Sequence, residues 1–501
     1  MGPTEDSPHT LAAGRLGAAA VTFFALAVTA PIAVLISVVP AAYATGGGPL
    51  VPLSFLALGV VLMLFAPGYA AMAHRAPFAG AMYTFVARGL GRPAGTGSAW
   101  LALASYQAIQ LGLYGLVGAA AAPVLSSWFG VSAEWWMVAA GCWLLVALGG
   151  TIRVEVAGGL IALLVLTEIA VAAGFATANV LDPGAGGLTV GSILPPGPGI
   201  DRSAVGLLLA VGLLAFAGFE TAGAYAEESI RPRRDTGRAT YATVAAFALL
   251  LAGTSWSLSA AAGAGRITEL AQARGSELMF DLAAARLAPW AVTLGRLVLL
   301  TGLLAAILAL HQVMSRYLFA LGRERVLPAG LGRTSRRTLA PRTASLTQSA
   351  VAALLLATGA AVGVADAPQT GHHLMIAGGL GILVLLLATS VAALLHLNRV
   401  PDGEGAFTRF AGPVLATVAL GSLTYLVWVD LAEPLRRLLP VGLAAVALLG
   451  VLHGLIVRGA RPVIYAGIGQ GGVPVVVTPE LPRPRASIKE PGAHRPERVR
   501  S

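Results

Sequence analysis

Residues 203–226 read SAVGLLLAVGLLAFAGFETAGAYA, a run in which Glu220 is the one charged residue. A bilayer core about 30 Å thick takes about 20 apolar residues of helix, so the run predicts a membrane span. Its centre, Phe216-Ala217-Gly218-Phe219-Glu220, places a glycine beside an acid at mid-membrane depth. Ionisable residues are costly at that depth and mark functional sites by default.

Eleven further runs of this kind flank it, at 17–39, 52–73, 98–122, 134–152, 155–179, 239–262, 288–314, 344–364, 374–396, 411–430 and 438–457. The first also breaks near its centre, at Thr29-Ala30-Pro31-Ile32-Ala33, because Pro31 lacks an N–H and clashes with the preceding turn. Spans 1 and 6 hold matching places in a five-plus-five repeat. Irregular backbone at this depth is tolerated only against protein or a cavity, so interrupted spans at matching places point to a transporter's substrate site. The competing reading is a plain proline kink and a small-residue packing site.

Composition narrows the class. Of 501 residues, 56% are hydrophobic and 11% charged, against about 25% charged in a soluble domain. That excludes a soluble or disordered chain, and a lone Cys142 excludes a disulfide scaffold. Lys489 is the one lysine, so no Gly-x-x-x-x-Gly-Lys phosphate loop exists and nucleotide hydrolysis is not the fuel. His372 and His373 adjoin without metal-ligand spacing, which argues against a metal enzyme.

The formal charge of +10 maps one face rather than a nucleic-acid partner. Of the 33 Lys and Arg, 26 lie in segments on one side of the twelve runs. By the positive-inside rule that side is cytoplasmic, and both termini lie on it. Residues 1–16 then form a cytoplasmic N-terminus, and 461–501 a basic, Pro-rich disordered tail. Residues 181–200 read as a Gly/Pro-rich outer loop, and 267–287 as a surface helix. Arginine in place of lysine hints at a GC-rich bacterial source, which makes the plasma membrane the expected location.

Three motifs carry a resemblance. Residues 73–100, AHRAPFAGAMYTFVARGLGRPAGTGSAW, hold Pro77, Ala79, Gly80, Tyr83, Gly89, Gly91, Gly95 and Trp100. Residues 216–239 read FAGFETAGAYAEESIRPRRDTGRA, and residues 315–341 read SRYLFALGRERVLPAGLGRTSRRTLAP. In this order and at these spans they resemble the amino acid–polyamine–organocation permeases, over roughly residues 15–430. The resemblance implies two inverted repeats, 17–179 and 203–396, with helices 1 and 6 unwound at the midplane, plus two helices at 411–457. It also implies that a substrate's carboxylate meets N–H groups in span 1 and its ammonium meets carbonyls in span 6.

On that basis Thr29, Ala30, Pro31, Ile32 and Ala33 form one wall of the expected substrate site, and Phe216, Ala217, Gly218 and Phe219 the other. The chain departs from the family's glycine-rich tripeptide in span 1. Pro31 cannot donate, which shifts carboxylate recognition to Ile32, Ala33 and the Thr29 hydroxyl. Gln107, Gln110 and Tyr114 in span 3, with Tyr106 alongside, form a polar stripe that either faces the cavity or cross-links helices.

Glu220 is the leading candidate for a proton carrier or ammonium partner, with a purely structural role as the rival. Glu168 and His311 are weaker coupling candidates, and Arg296 either snorkels outward or pairs with an acid, Glu168 being one candidate. Some relatives use a span 5 lysine for proton coupling; here Gly159 occupies the matching place. Tyr83, Glu227, Glu228, Arg316 and Arg323 gather near the cytoplasmic ends. Glu227 and Glu228 form either a charge lock with Arg231, Arg233 and Arg234 or a solvated loop, and Arg316 and Arg323 either tether the loop after span 8 or anchor to lipid headgroups.

The reading is an all-α membrane protein of about 12 helices, not an enzyme, moving amino acids or related organic amines by alternating access. Coupling is to protons or Na⁺, or by exchange, with no cofactor. Polyamines, purines or other organic cations are alternative substrates, and a transporter-derived membrane sensor is the alternative of another class. A two-times-six helix transporter would carry a long loop between spans 6 and 7, where this chain has about ten residues.

Overall fold

A computed structural model describes residues 9–184, 187–188, 202–364 and 366–472. The first eight residues, most of the expected outer loop and the tail from 473 lie outside the described residues. The chain folds as α1 (Ala18–Val28), α2 (Pro31–Ala42), α3 (Val51–Arg75), α4 (Ala81–Gly89), α5 (Arg92–Phe129), α6 (Trp135–Gly149), α7 (Val154–Leu181), α8 (Arg202–Ala215) and α9 (Pro232–Ala262). It continues with α10 (Ile267–Arg274), α11 (Leu278–Ala284), α12 (Pro289–Arg323), α13 (Arg342–Ala361), α14 (Ala367–Arg399), α15 (Gly412–Asp430), α16 (Leu435–Ala460) and α17 (Pro462–Gly467).

Among the described residues, ten helices are long and apolar enough to cross a membrane. The pair α1 and α2 forms a further span bent by 43°, and α6 is apolar but only 15 residues long. Each expected run falls on one of these elements, so the molecule is a multi-pass helical membrane protein. Leu144, Leu148, Leu163, Leu166, Leu452 and Ile456 are exposed on the outer helices, an apolar surface of the kind that faces lipid.

Small residues set the close crossings. A methyl group at Gly112 of α5 would stand 2.5 Å from the carbonyl oxygen of Gly371 on α14. Removing side chains at such points lets two backbones touch where no hydrophobic driving force between helices exists. The crossing fixes α5 beside α14, and α5 carries Tyr106 toward the centre of the molecule.

The expected surface helix over 267–287 is corrected. Gly275, at φ 49°, splits it into α10 and α11, and Ile267, Ala271, Leu278, Met279 and Phe280 are buried. The spacing was helical, but these apolar groups close over α2, α7 and α9 instead of lying against a lipid surface. At the opposite end of the molecule the N-terminal segment joins the fold through a backbone bridge between Leu16 and Ser229.

Candidate substrate site and inner gate

The chain breaks at Pro31, which lacks an N–H, and at Gly218, which lacks a side chain. Val28 ends α1, Ala30 takes a left-handed conformation (φ 48°, ψ 65°), and Pro31 starts α2 with its φ already set for a helix. Span 6 breaks at Gly218, whose φ of 125° excludes a side chain without strain. A tight 3₁₀ helix, Phe219–Glu228, follows it. A Cβ at Gly218 would stand 2.7 Å from Val28 Cγ1 and 3.0 Å from Thr29 N, so the two breaks touch.

Each break is held by a buried glutamate. Glu220 accepts from the Gly218 N–H and the Tyr106 hydroxyl, both at 2.9 Å, and Tyr69 donates to its backbone carbonyl at 2.6 Å. Glu168, 1% exposed on α7, accepts the Ile32 N–H at 3.1 Å. A carboxylate there satisfies a first-turn donor and meets the positive end of the α2 dipole. Among the described residues its other oxygen, Oε1, has no hydrogen-bond partner, and the carboxyl lies against Gly302 of α12, where any Cβ would collide with it.

A cavity of about 230 Å³ lies at the breaks. Thr29, Ala30, Ala33 and Ala217 line it at the break, and the wall runs along α2 past Ser37 to His372 at the start of α14. Of the expected site residues, these four reach the wall. Pro31, Ile32, Phe216, Gly218 and Phe219 are buried beside it and shape the backbone.

Gln107 and Gln110 do not line the cavity. Gln348 of α13 donates to both, at 2.7 and 3.2 Å, and Gln110 donates to the Ile307 carbonyl of α12 at 3.2 Å. Their stripe faces α12 and α13, which makes it a cross-link between helices. His311 likewise contacts Ser345 Oγ at 2.9 Å, away from both breaks. Arg296 pairs with an acid, but that acid is Glu277, at 2.5 Å, and not Glu168; its guanidinium also stacks over Phe280.

The remaining charges close the end near Leu16. Arg316 and Glu228, 1% and 0% exposed, form a bidentate pair at 2.6 and 2.9 Å. Gln312 accepts from the same guanidinium, which lies 4.4 Å over the ring of Tyr225. Arg323 pairs with Glu227 at 2.5 and 2.7 Å, and Glu227 also accepts the Ala79 N–H at 2.8 Å. Tyr83 packs on Tyr317, which packs on Tyr106, so a column of rings joins this gate to Glu220.

The expected partners Arg231, Arg233 and Arg234 are thereby corrected. The chain turns at Ser229 after its bridge to Leu16, and α9 carries these arginines outward; Arg231 pairs with Asp235 at 3.3 Å instead. Beneath the gate the segment from α17 to 472 folds back. Glu324, 6% exposed, accepts the N–H groups of Gly469 and Gly471 at about 3 Å. Burial raises the Glu324 carboxyl above its ordinary value, against the pull of those N–H groups. Arg88 and Arg92 bind the carbonyls of Gly469 and Ala466 from above, both at 3.1 Å.

Sequence reasoning missed Tyr69, Glu324 and this returning segment. Gln312, which the sequence offered beside His311 for a proton path, lies one helical turn before Arg316 and serves its guanidinium instead. The arrangement can hold a small molecule at two unwound helices and shut one side with ion pairs. Among the described residues it presents no cluster of three or more His, Cys, Asp or Glu able to hold a metal.

No curated protein matches the chain at the sequence level. The family model described as amino acid permease matches residues 20–455, from the start of α1 to the last turns of α16. Its members are transporters of amino acids or related compounds, and the chain belongs to this amino acid permease family.

Proposed function

We propose that the protein is a secondary transporter that carries amino acids or related organic amines across a bacterial plasma membrane by alternating access. In this reading twelve spans form two inverted repeats, 17–179 and 203–396, with two helices added at 411–457, and both termini lie in the cytoplasm. The observation that carries it is the contact of Gly218 with Val28 and Thr29 at a cavity whose wall follows α2 away from the buried Glu228–Arg316 pair. Two broken helices at one site, open along one side and shut by ion pairs on the other, are what alternating access requires.

Energy comes from an ion gradient or from exchange. We assign Glu220 as the proton site. Ionised, it accepts from Gly218 and Tyr106; protonated, it becomes a donor and gives up acceptor capacity, so its charge is tied to the shape of the break. Glu168 is the second candidate, and Na⁺ held by carbonyls at the breaks is the alternative to a proton.

Purified protein in proteoliposomes tests the reading. Uptake and counterflow of labelled amino acids and amines should exceed empty vesicles, and should respond to an imposed pH or Na⁺ gradient unless exchange is obligatory. Saturable binding with no flux under any gradient would replace transport by sensing.

A further inference from the structure

A carboxylate bound at a broken helix needs free N–H donors, commonly two or more, and each donor at these breaks can be followed to its acceptor. Thr29 N–H donates to Ala25 O and its hydroxyl to Leu26 O; Ala30 N–H donates to Ala27 O. Pro31 has no donor. Ile32 N–H is held by Glu168, and Val34 N–H by Ala30 O. Across the site, Phe216 and Ala217 donate to Leu213 and Leu214, Gly218 to Glu220, Phe219 to Phe216 and Thr221 to Gly218. Among the described residues the Ala33 N–H is left, and the Glu220 N–H is turned to its own carboxylate.

Acceptors are in the opposite position. Val28, at the carbonyl end of α1, and Ala215, at that of α8, both line the cavity, and each marks the negative end of a helix dipole. The wall carries no acidic or basic side chain other than His372, and most of it is aliphatic.

We propose that Glu168 is a specificity determinant: it supplies from within the protein the carboxylate that α2 binds, so the site takes monoamines with an apolar body and rejects α-amino acids. The proposal deepens the transport reading and rests on it. One ammonium meets the two converging helix ends, and the absence of an acid on the wall leaves a second ammonium without a partner, which disfavours diamines. A carboxylate taking the Ile32 N–H would displace Glu168 and leave it buried with neither oxygen hydrogen-bonded, a state that desolvation makes costly.

Matched pairs differing by the carboxylate test this. Competition binding and counterflow are measured with leucine against isoamylamine and phenylalanine against phenethylamine, with cadaverine as the diamine. The amine should bind at least about tenfold tighter than its amino acid and than cadaverine. In Glu168→Ala the freed Ile32 N–H should narrow the amine preference by about tenfold; if that variant does not fold, the wild-type ratios decide alone. Amino acids that bind as well as their amines and drive counterflow would overturn this inference while leaving transport intact. If neither member of any pair binds or exchanges, both readings fall.

Discussion

Arg316 of α12 and Glu228 at the end of the 3₁₀ helix share two hydrogen bonds, at 2.6 and 2.9 Å, where solvent does not reach either side chain. Removing one member of such a pair leaves a buried charge without a partner, at a cost of about 3–5 kcal/mol, whereas removing both costs far less. Arg316→Met should therefore lower the thermal midpoint in detergent strongly. The double variant with Glu228→Leu should recover much of that loss, and equal losses would show that the pair is not coupled.

Gly218→Ala should abolish high-affinity substrate binding, because its Cβ meets Val28 at 2.7 Å in a backbone conformation that L-residues avoid. Gly159→Ala on α7, where nothing lies within 4 Å, should leave binding unchanged. Equal affinities for the two variants would move the site away from the breaks.

Glu220→Gln removes an acceptor, since one carboxamide oxygen cannot serve both Gly218 and Tyr106. The unmet donor costs about 1–3 kcal/mol, so affinity should fall by tenfold or more. The pH dependence of uptake should flatten in the same variant. Tyr106→Phe removes one donor and should weaken binding less while keeping the pH profile. A Glu220→Gln profile identical to wild type would remove Glu220 as the proton site.

Hydrogen bonds from Arg75 hold the Glu404 carboxyl down at about 2, from an ordinary 4.5. The folded value lies below the unfolded one, so the pair's contribution is fully present above about 4.5 and is lost as the pH falls toward 2. Arg75→Gln should lower the thermal midpoint at pH 6 and converge with wild type near pH 2. A constant gap across that range would show that Arg75 acts by packing alone.

Hydropathy made the spans legible, and Pro31 and Gly218 marked the two breaks without any fold, because each is a backbone defect written into the residue type. Partners were another matter. Glu168 lies 136 residues from Ile32, Arg316 lies 88 from Glu228 and Arg323 lies 96 from Glu227, separations that no local pattern encodes. Arg231, Arg233 and Arg234 were nearer in sequence and therefore looked like the partners. Gln107 and Gln110 showed a polar stripe, but its direction depends on how α5 rotates against α12 and α13. Residues 462–472 read as tail because their polar anchor, Glu324, belongs to another helix.

That returning segment sets an order of events. The seal near Leu16 draws on residue 16 pairing with 229, 228 with 316, 227 with 323, and Glu324 with Gly469 and Gly471. It is therefore complete only once residue 471 has left the ribosome. Until then, a nascent chain already threaded through the membrane has this end unlatched.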